Sequence, residues 1–97
     1  KYHCLIIPKR HMKNFFDLTN EELLACNDLI KAVKKDILNK DPDVEGFNLG
    51  TNIGKVSGQS ILHCHFHLIP RRPGDVENPQ GGVRSVIPSK QHYKRKK

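Results

Sequence analysis

No apolar run in these 97 residues approaches the ~20 that a helix needs to cross a bilayer, so no membrane segment is expected. Cysteine is scarce and odd in number. Cys4, Cys26 and Cys64 sit at scattered spacings inside apolar patterns, which argues against a disulfide framework and suits free buried thiols in a reducing compartment. The N-terminal residues lack the charged, apolar and small-residue layout of a secretion signal, and a cytoplasmic protein is expected. The opening is abrupt, however: Lys1 and Tyr2 run into an apolar stretch without a preceding turn, so further residues upstream are expected. There is no internal repeat. The length fits one small domain, of a size at which a partner subunit can supply part of the stability.

Acidic residues are missing from positions 90–97, where Lys90, Lys94, Arg95, Lys96 and Lys97 all fall. Without that stretch the formal charge of +7 drops to 12 basic against 10 acidic residues. The excess is thus a basic tail over 90–97 attached to a nearly balanced domain over 1–89. A nucleic-acid partner is not expected, because that needs positive charge on a folded face or interleaved with aromatics.

Residues 2–7 form a nearly continuous apolar run closed by Pro8, the pattern of a buried strand. A loop over 9–17 leads to Thr19, which can cap a helix while Glu22 returns the hydrogen bond, with Leu18 and Leu23 placed for a hydrophobic staple. Leu23, Cys26, Ile30, Val33 and Ile37 then recur at helical steps while Lys31, Lys34 and Lys35 fall elsewhere. This helix is expected to end near 39–41, ahead of Pro42. Over 46–52, Phe47, Leu49 and Thr51 alternate with Asn48, Gly50 and Asn52, the period of a half-buried strand. The glycine-punctuated loop 53–60 joins it to an apolar stretch over 61–69, and the two are expected to pair as an antiparallel hairpin. Four of the six prolines fall from Pro70 onward, so extended loop is expected over 71–97.

Over 62–69, the strand period of two sends His63, His65 and His67 to one side and Cys64, Phe66 and Leu68 to the other. Three imidazoles buried without partners are costly, so the row points to chemistry rather than core. Alternate strand residues lie about 6.6 Å apart, which separates His63 from His67 by about 13 Å. Nitrogens sharing one zinc each sit ~2.0–2.1 Å from the ion. Three such rings cannot easily meet on one ion, no Cys-x-x-Cys pair or acidic ligand lies nearby, and no metal is assigned. An oxyanion suits the row better. One ring, held neutral by a hydrogen bond at its other nitrogen, attacks phosphorus while its neighbours donate protons to phosphate oxygens and the leaving group. Ser57-Gly58-Gln59-Ser60, just ahead of the row, adds a glycine for close backbone approach, amide donors and a hydroxyl.

The stretch Gly58-Gln59-Ser60-Ile61-Leu62-His63-Cys64-His65-Phe66-His67-Leu68-Ile69-Pro70 resembles the signature of the histidine triad (HIT) superfamily, His-x-His-x-His followed by two apolar residues and preceded by Gly-Gln-Ser/Thr. A second segment, His3-Cys4-Leu5-Ile6-Ile7-Pro8-Lys9-Arg10-His11, is similar to the strand and basic turn ahead of the helix in those proteins, so the resemblance covers residues 2–72. It implies an α+β fold, an antiparallel sheet carrying one long helix, with the N-terminal part of the fold missing from this chain. That missing part would supply contacts to base and ribose. A homodimer paired across the helix and a sheet edge is also implied.

For the chemistry, the resemblance implies a hydrolase in which His65 attacks the α-phosphate, forms a nucleotidyl-histidine intermediate and yields a nucleoside monophosphate to water, or to phosphate by phosphorolysis. His63 is implied to orient His65 through its backbone carbonyl and to pair with His3, and His67 to contact the phosphate or the bridging oxygen. Asn52, Gln59 and Ser60 match positions that contact phosphate oxygens and the leaving group. Some bacterial relatives hold zinc with upstream cysteines plus histidines at the positions of His11 and His63, but those cysteines are absent here. Arg71-Arg72-Pro73-Gly74-Asp75 looks more like the fragile-histidine-triad side of the superfamily than the Hint side, and Arg71, Arg72 and Arg84 would then meet distal phosphates. The expected substrate is a dinucleoside polyphosphate or a related nucleoside 5′-phosphate derivative. A nucleoside phosphoramidase and a slow-turnover nucleotide-binding regulatory protein are the alternatives. No cofactor is required, although a divalent cation such as Mg²⁺ can accompany a polyphosphate substrate.

Overall fold

The computed structural model describes residues 1–92, in the order β1 (Cys4–Ile6), α1 (Asn20–Lys40), β2 (Gly46–Gly50) and β3 (Phe66–Arg71), with short 3₁₀ turns between and after them. The helix begins where its local chemistry dictates. Thr19 Oγ1 accepts from the Glu22 N–H and the Glu22 carboxylate accepts from the Thr19 N–H, a complete capping box. At the other end Asp41 caps the last turn and Pro42 follows.

The sheet is antiparallel throughout, in the order β1-β3-β2. Directly opposed residues share a face. Cys4, Ile6, Phe66, Leu68 and Phe47 therefore turn toward α1, whose Cys26, Ile30, Val33 and Ile37 complete two contiguous apolar clusters with Met12, Val44 and Cys64. The other face carries Leu5 from β1, His67, Ile69 and Arg71 from β3, and Asn48 with two glycines from β2. All three cysteines are free, with Cys26 and Cys64 in the core. No helix among the described residues is long and apolar enough to cross a membrane.

The histidine strand is shorter at its start than the apolar pattern suggests. Ladder pairing begins at Phe66, so His63 and His65 precede the strand. This stretch is tied down outside the ladder: the Cys64 N–H donates to the Met12 carbonyl at 2.8 Å, and the carbonyls of His63 and His65 accept from side chains. Alternation of burial nevertheless runs unbroken from His63 to Pro70. The strand also extends past the expected end, through Pro70 to Arg71. Because β1 pairs only as far as Leu68, that side of β3 is an edge, where a proline's missing N–H is tolerated.

The segment after Arg71 is not simply extended loop. Gly82–Val86 and Pro88–Lys90 form 3₁₀ turns. The chain enters them through Gly81 at φ 93°, where any Cβ would collide with the Gln91 carbonyl, so a close backbone approach requires glycine. Of the basic tail expected over 90–97, residues 93–97 lie outside the described residues.

Candidate active site

His65 sits between the loop and the strand with both ends of its residue held. Its Nδ1 lies 2.8 Å from the His63 carbonyl. A carbonyl can only accept, so Nδ1 carries the proton and Nε2 keeps its lone pair. Thr51 Oγ1 donates to the His65 carbonyl at 2.7 Å. The ring stands edge-on to His67, with centroids 5.2 Å apart at 70°. The expected orientation of His65 by the His63 carbonyl is therefore present.

The expected pairing of His63 with His3 is not. His3 Nε2 lies 2.9 Å from His67 Nδ1, while His63 Nδ1 lies 3.0 Å from His11 Nδ1. The sheet register explains the exchange. Leu5 opposes His67, so His3, on the same face, falls beside the strand end of the row, whereas His63 lies beyond the end of β1 near Pro8 and His11. His63 Nε2 also contacts the Pro8 carbonyl at 3.1 Å, which makes Nε2 its protonated nitrogen and leaves Nδ1 to accept from His11 when the ring is neutral. Burial, and to a lesser degree the charges of His3 and His65, hold the His67 imidazole below its ordinary pKa. Among the described residues no group of three or more His, Cys, Asp and Glu side chains stands close enough to hold a metal ion.

His3, His67 and Asn52 line an open cleft of about 1070 Å³ over the exposed face of the sheet. Ser57 and Gly58 contribute its loop wall, and Val83, Val86 and Ile87 its far side. Gly58 takes up φ 93°, a conformation that favours glycine, at the turn beside Asn52. Gln59 is placed differently from a phosphate contact. It is only 6% exposed, its Nε2 donates to the carbonyls of Lys13 and Ile61, and its Oε1 accepts from the Gly54 N–H. Its amide thus ties three stretches of loop together. Ser60 is exposed at the surface beside it.

The arginines after the row are engaged. Arg71 forms a two-point ion pair with Asp75 and donates to Asn48 Oδ1, holding the Asp75 carboxyl well below the usual range. Arg72 pairs with Asp41 at the end of α1, and Arg84 Nε donates to the Lys90 carbonyl. His11 and Thr51 are the site residues that the sequence reading left without a part in the histidine row. Thr51 follows the end of β2 and His11 lies in the loop after β1, so no strand period pointed to His11.

Comparison with known proteins agrees with this geometry. The family model described as the HIT domain matches residues 1–74. The chain is 44% identical over 78 residues to an uncharacterized HIT-like protein of Methanocaldococcus jannaschii, covering 79% of this chain and 58% of that one. It is 37% identical over 71 residues to an adenosine 5′-monophosphoramidase of Schizosaccharomyces pombe, covering 73% and 50%. An asymmetrical bis(5′-nucleosyl)-tetraphosphatase of the same yeast is 36% identical over 75 residues, covering 75% and 40%. In structure, a hypothetical histidine triad nucleotide-binding protein of Sulfolobus tokodaii superposes with a TM-score of 0.70 at 35% identity, over 79% of this chain and 51% of that one. The chain spans about half the length of these relatives. With the family model covering most of its length and the histidine row, the helix and the antiparallel sheet all in place, the chain belongs to the HIT family.

Proposed function

We propose that this chain carries the catalytic part of a hydrolase that cleaves nucleoside 5′-phosphate derivatives at the α-phosphorus through His65. The observation that carries the reading is the His65 Nδ1 contact with the His63 carbonyl, which leaves Nε2 unprotonated on the same ring. Nε2 attacks phosphorus, a nitrogen–phosphorus bond forms, and the bond to the leaving group breaks. His67 in its protonated form supplies from Nε2 the proton that the leaving group takes, while Nδ1 is held by His3. Water then attacks the phosphorus and gives its proton back to His67, the nitrogen–phosphorus bond breaks, the nucleoside monophosphate departs, and His65 regains its lone pair. Asn52 and the Ser57–Gly58 backbone, which line the cleft beside His67, supply donors for the phosphate oxygens in this reading.

The leaving group we favour is an amine, as in a phosphoramidate. A dinucleoside polyphosphate would ask for cations beyond the α-phosphate, yet Arg71 and Arg72 are each engaged with a carboxylate and the cleft's far side is apolar. The likeness to a phosphoramidase supports this choice. The likeness to a tetraphosphatase keeps the polyphosphate as the second reading. We further propose that two copies pair: an apolar groove lined by Phe15, Phe16, Leu23 and Leu49 lies open on one side of α1, and Phe16 and Leu49 in it are at least half exposed. Sedimentation would show a dimer.

The test is an early acid quench with radiolabelled adenosine phosphoramidate and, in parallel, diadenosine tetraphosphate. A burst and an acid-labile protein adduct are expected with the phosphoramidate, both erased in His65→Gln. Faster turnover of the tetraphosphate would favour the second reading. Tight AMP binding with no adduct from either substrate would make this a nucleotide-binding regulatory protein instead.

A further inference from the structure

We infer that Thr51 is a positioning residue for the His65 nucleophile, acting through the backbone carbonyl of residue 65; the inference rests on the catalytic reading of His65 above. The β2–β3 ladder ends at the pair Gly50 and His67. The residues the chemistry needs lie just beyond it on both strands: Asn52 after β2 and His65 before β3. Regular pairing therefore takes in His67 and stops short of His65 and Asn52. Across that gap Thr51 Oγ1 donates to the His65 carbonyl at 2.7 Å, a half-buried bond that joins the exit of β2 to the entry of β3.

The consequence is geometric. The His65 ring is aimed by its own Nδ1 bond to the His63 carbonyl, but that bond fixes only the ring relative to residues 63–65. On the other side the backbone is held by the Cys64 N–H on Met12. Thr51 supplies the tie to the exit of β2, one residue before Asn52, which lines the cleft together with His67. One hydroxyl thus ties the backbone of the attacking residue to the residue that precedes Asn52. A small displacement in such an arrangement costs rate while leaving binding largely intact. Threonine is also suited to the place, since its β-branched side chain has few rotamers and its hydroxyl position is correspondingly defined.

Thr51→Val keeps the shape and removes the donor; Thr51→Ser keeps the donor. With a fluorogenic adenosine phosphoramidate and the full chain, Thr51→Val is expected to lower kcat about tenfold with KM within about twofold. Thr51→Ser should restore most of kcat. The second measurement is the imidazole ¹⁵N spectrum, in which wild-type His65 shows a single Nδ1–H tautomer that exchanges slowly, and Thr51→Val broadens or averages that signal without disturbing His3 and His67. Wild-type kcat in Thr51→Val together with an unchanged His65 signal overturns the inference, as does a Thr51→Ser variant no better than valine. If the wild type turns over neither phosphoramidate nor tetraphosphate, the catalytic reading fails, and the ring spectrum alone decides whether Thr51 holds His65.

Discussion

His3 Nε2 and His67 Nδ1 face each other across 2.9 Å, so the residue just ahead of β1 holds the ring of the last histidine in the row. Their rings are 5.1 Å apart at 54°, close enough to pack as well as to share a proton. His3→Phe keeps the ring and removes the nitrogen. It should leave AMP affinity nearly unchanged and lower kcat by about 10- to 100-fold, within the range a positioned general acid contributes. The imidazole ¹⁵N spectrum should change at His67 and stay constant at His63. A change confined to His63 would restore the pairing that the family resemblance implies.

The same residue makes stability depend on pH. Burial holds the native His67 ring below its ordinary value of about 6.5, so the unfolded chain takes up a proton at a pH where the native ring remains neutral. Between the lowered native pKa and about 6.5 the unfolded state binds more protons, and stability falls as pH falls through that window. Urea midpoints measured at about pH 5 and about pH 7.5 should differ in that direction, and His67→Gln should reduce the difference. An equal difference in the variant would assign the effect to another group.

What the sequence made legible was what depends on near neighbours. The Thr19–Glu22 box spans one helical turn, and the stripe from Cys26 to Ile37 shows the packed face without knowledge of what it packs on. The facing of the histidines was equally local, and holds from His63 to Pro70. The start of the ladder was not, because it depends on where β2 stops. Register decided the histidine partners: His3 and His67 are 64 positions apart, and His11 and His63 are 52 apart. No spacing within either segment carries that information. Arg71 was different, since its Asp75 partner stands one helical step away in the sequence and was open to view.

The capping box gives a prediction for the fold alone. Arg10 extends it by pairing with the Glu22 carboxylate, which together with the Thr19 N–H pulls that carboxyl down to about 2. Thr19→Ala should cost about 1 kcal/mol, the usual loss of an N-cap, measured by thermal or urea unfolding. Because the Glu22 pKa is lowered in the native state, its stabilising contribution is present above the ordinary carboxylate range and lost as pH falls toward about 2. Glu22→Gln should flatten the acid limb of the stability profile. An unchanged limb would show that the pair contributes nothing in solution.

A phosphate contact at Gln59 and a clamp at Gln59 predict different failures. As a contact it would be replaceable at a cost in KM alone. As the clamp observed, it satisfies the Lys13 and Ile61 carbonyls and the Gly54 N–H from a position 6% exposed, and Gln59 N also donates to the Gly54 carbonyl at 3.1 Å. Removing the side chain strands three backbone groups, each worth roughly 1–3 kcal/mol if water cannot reach it. Some will be rehydrated through the opening left behind. Gln59→Ala should therefore destabilise the domain by about 3 kcal/mol, a large share of the 5–15 kcal/mol typical of a domain. Gln59→Glu separates the two readings further, because a carboxylate can still accept near Gly54 but cannot donate to two carbonyls, and it repels an anion. If Gln59→Ala unfolds at the wild-type urea midpoint and only KM rises, the amide spends its time on the phosphate and the loop holds itself together without it.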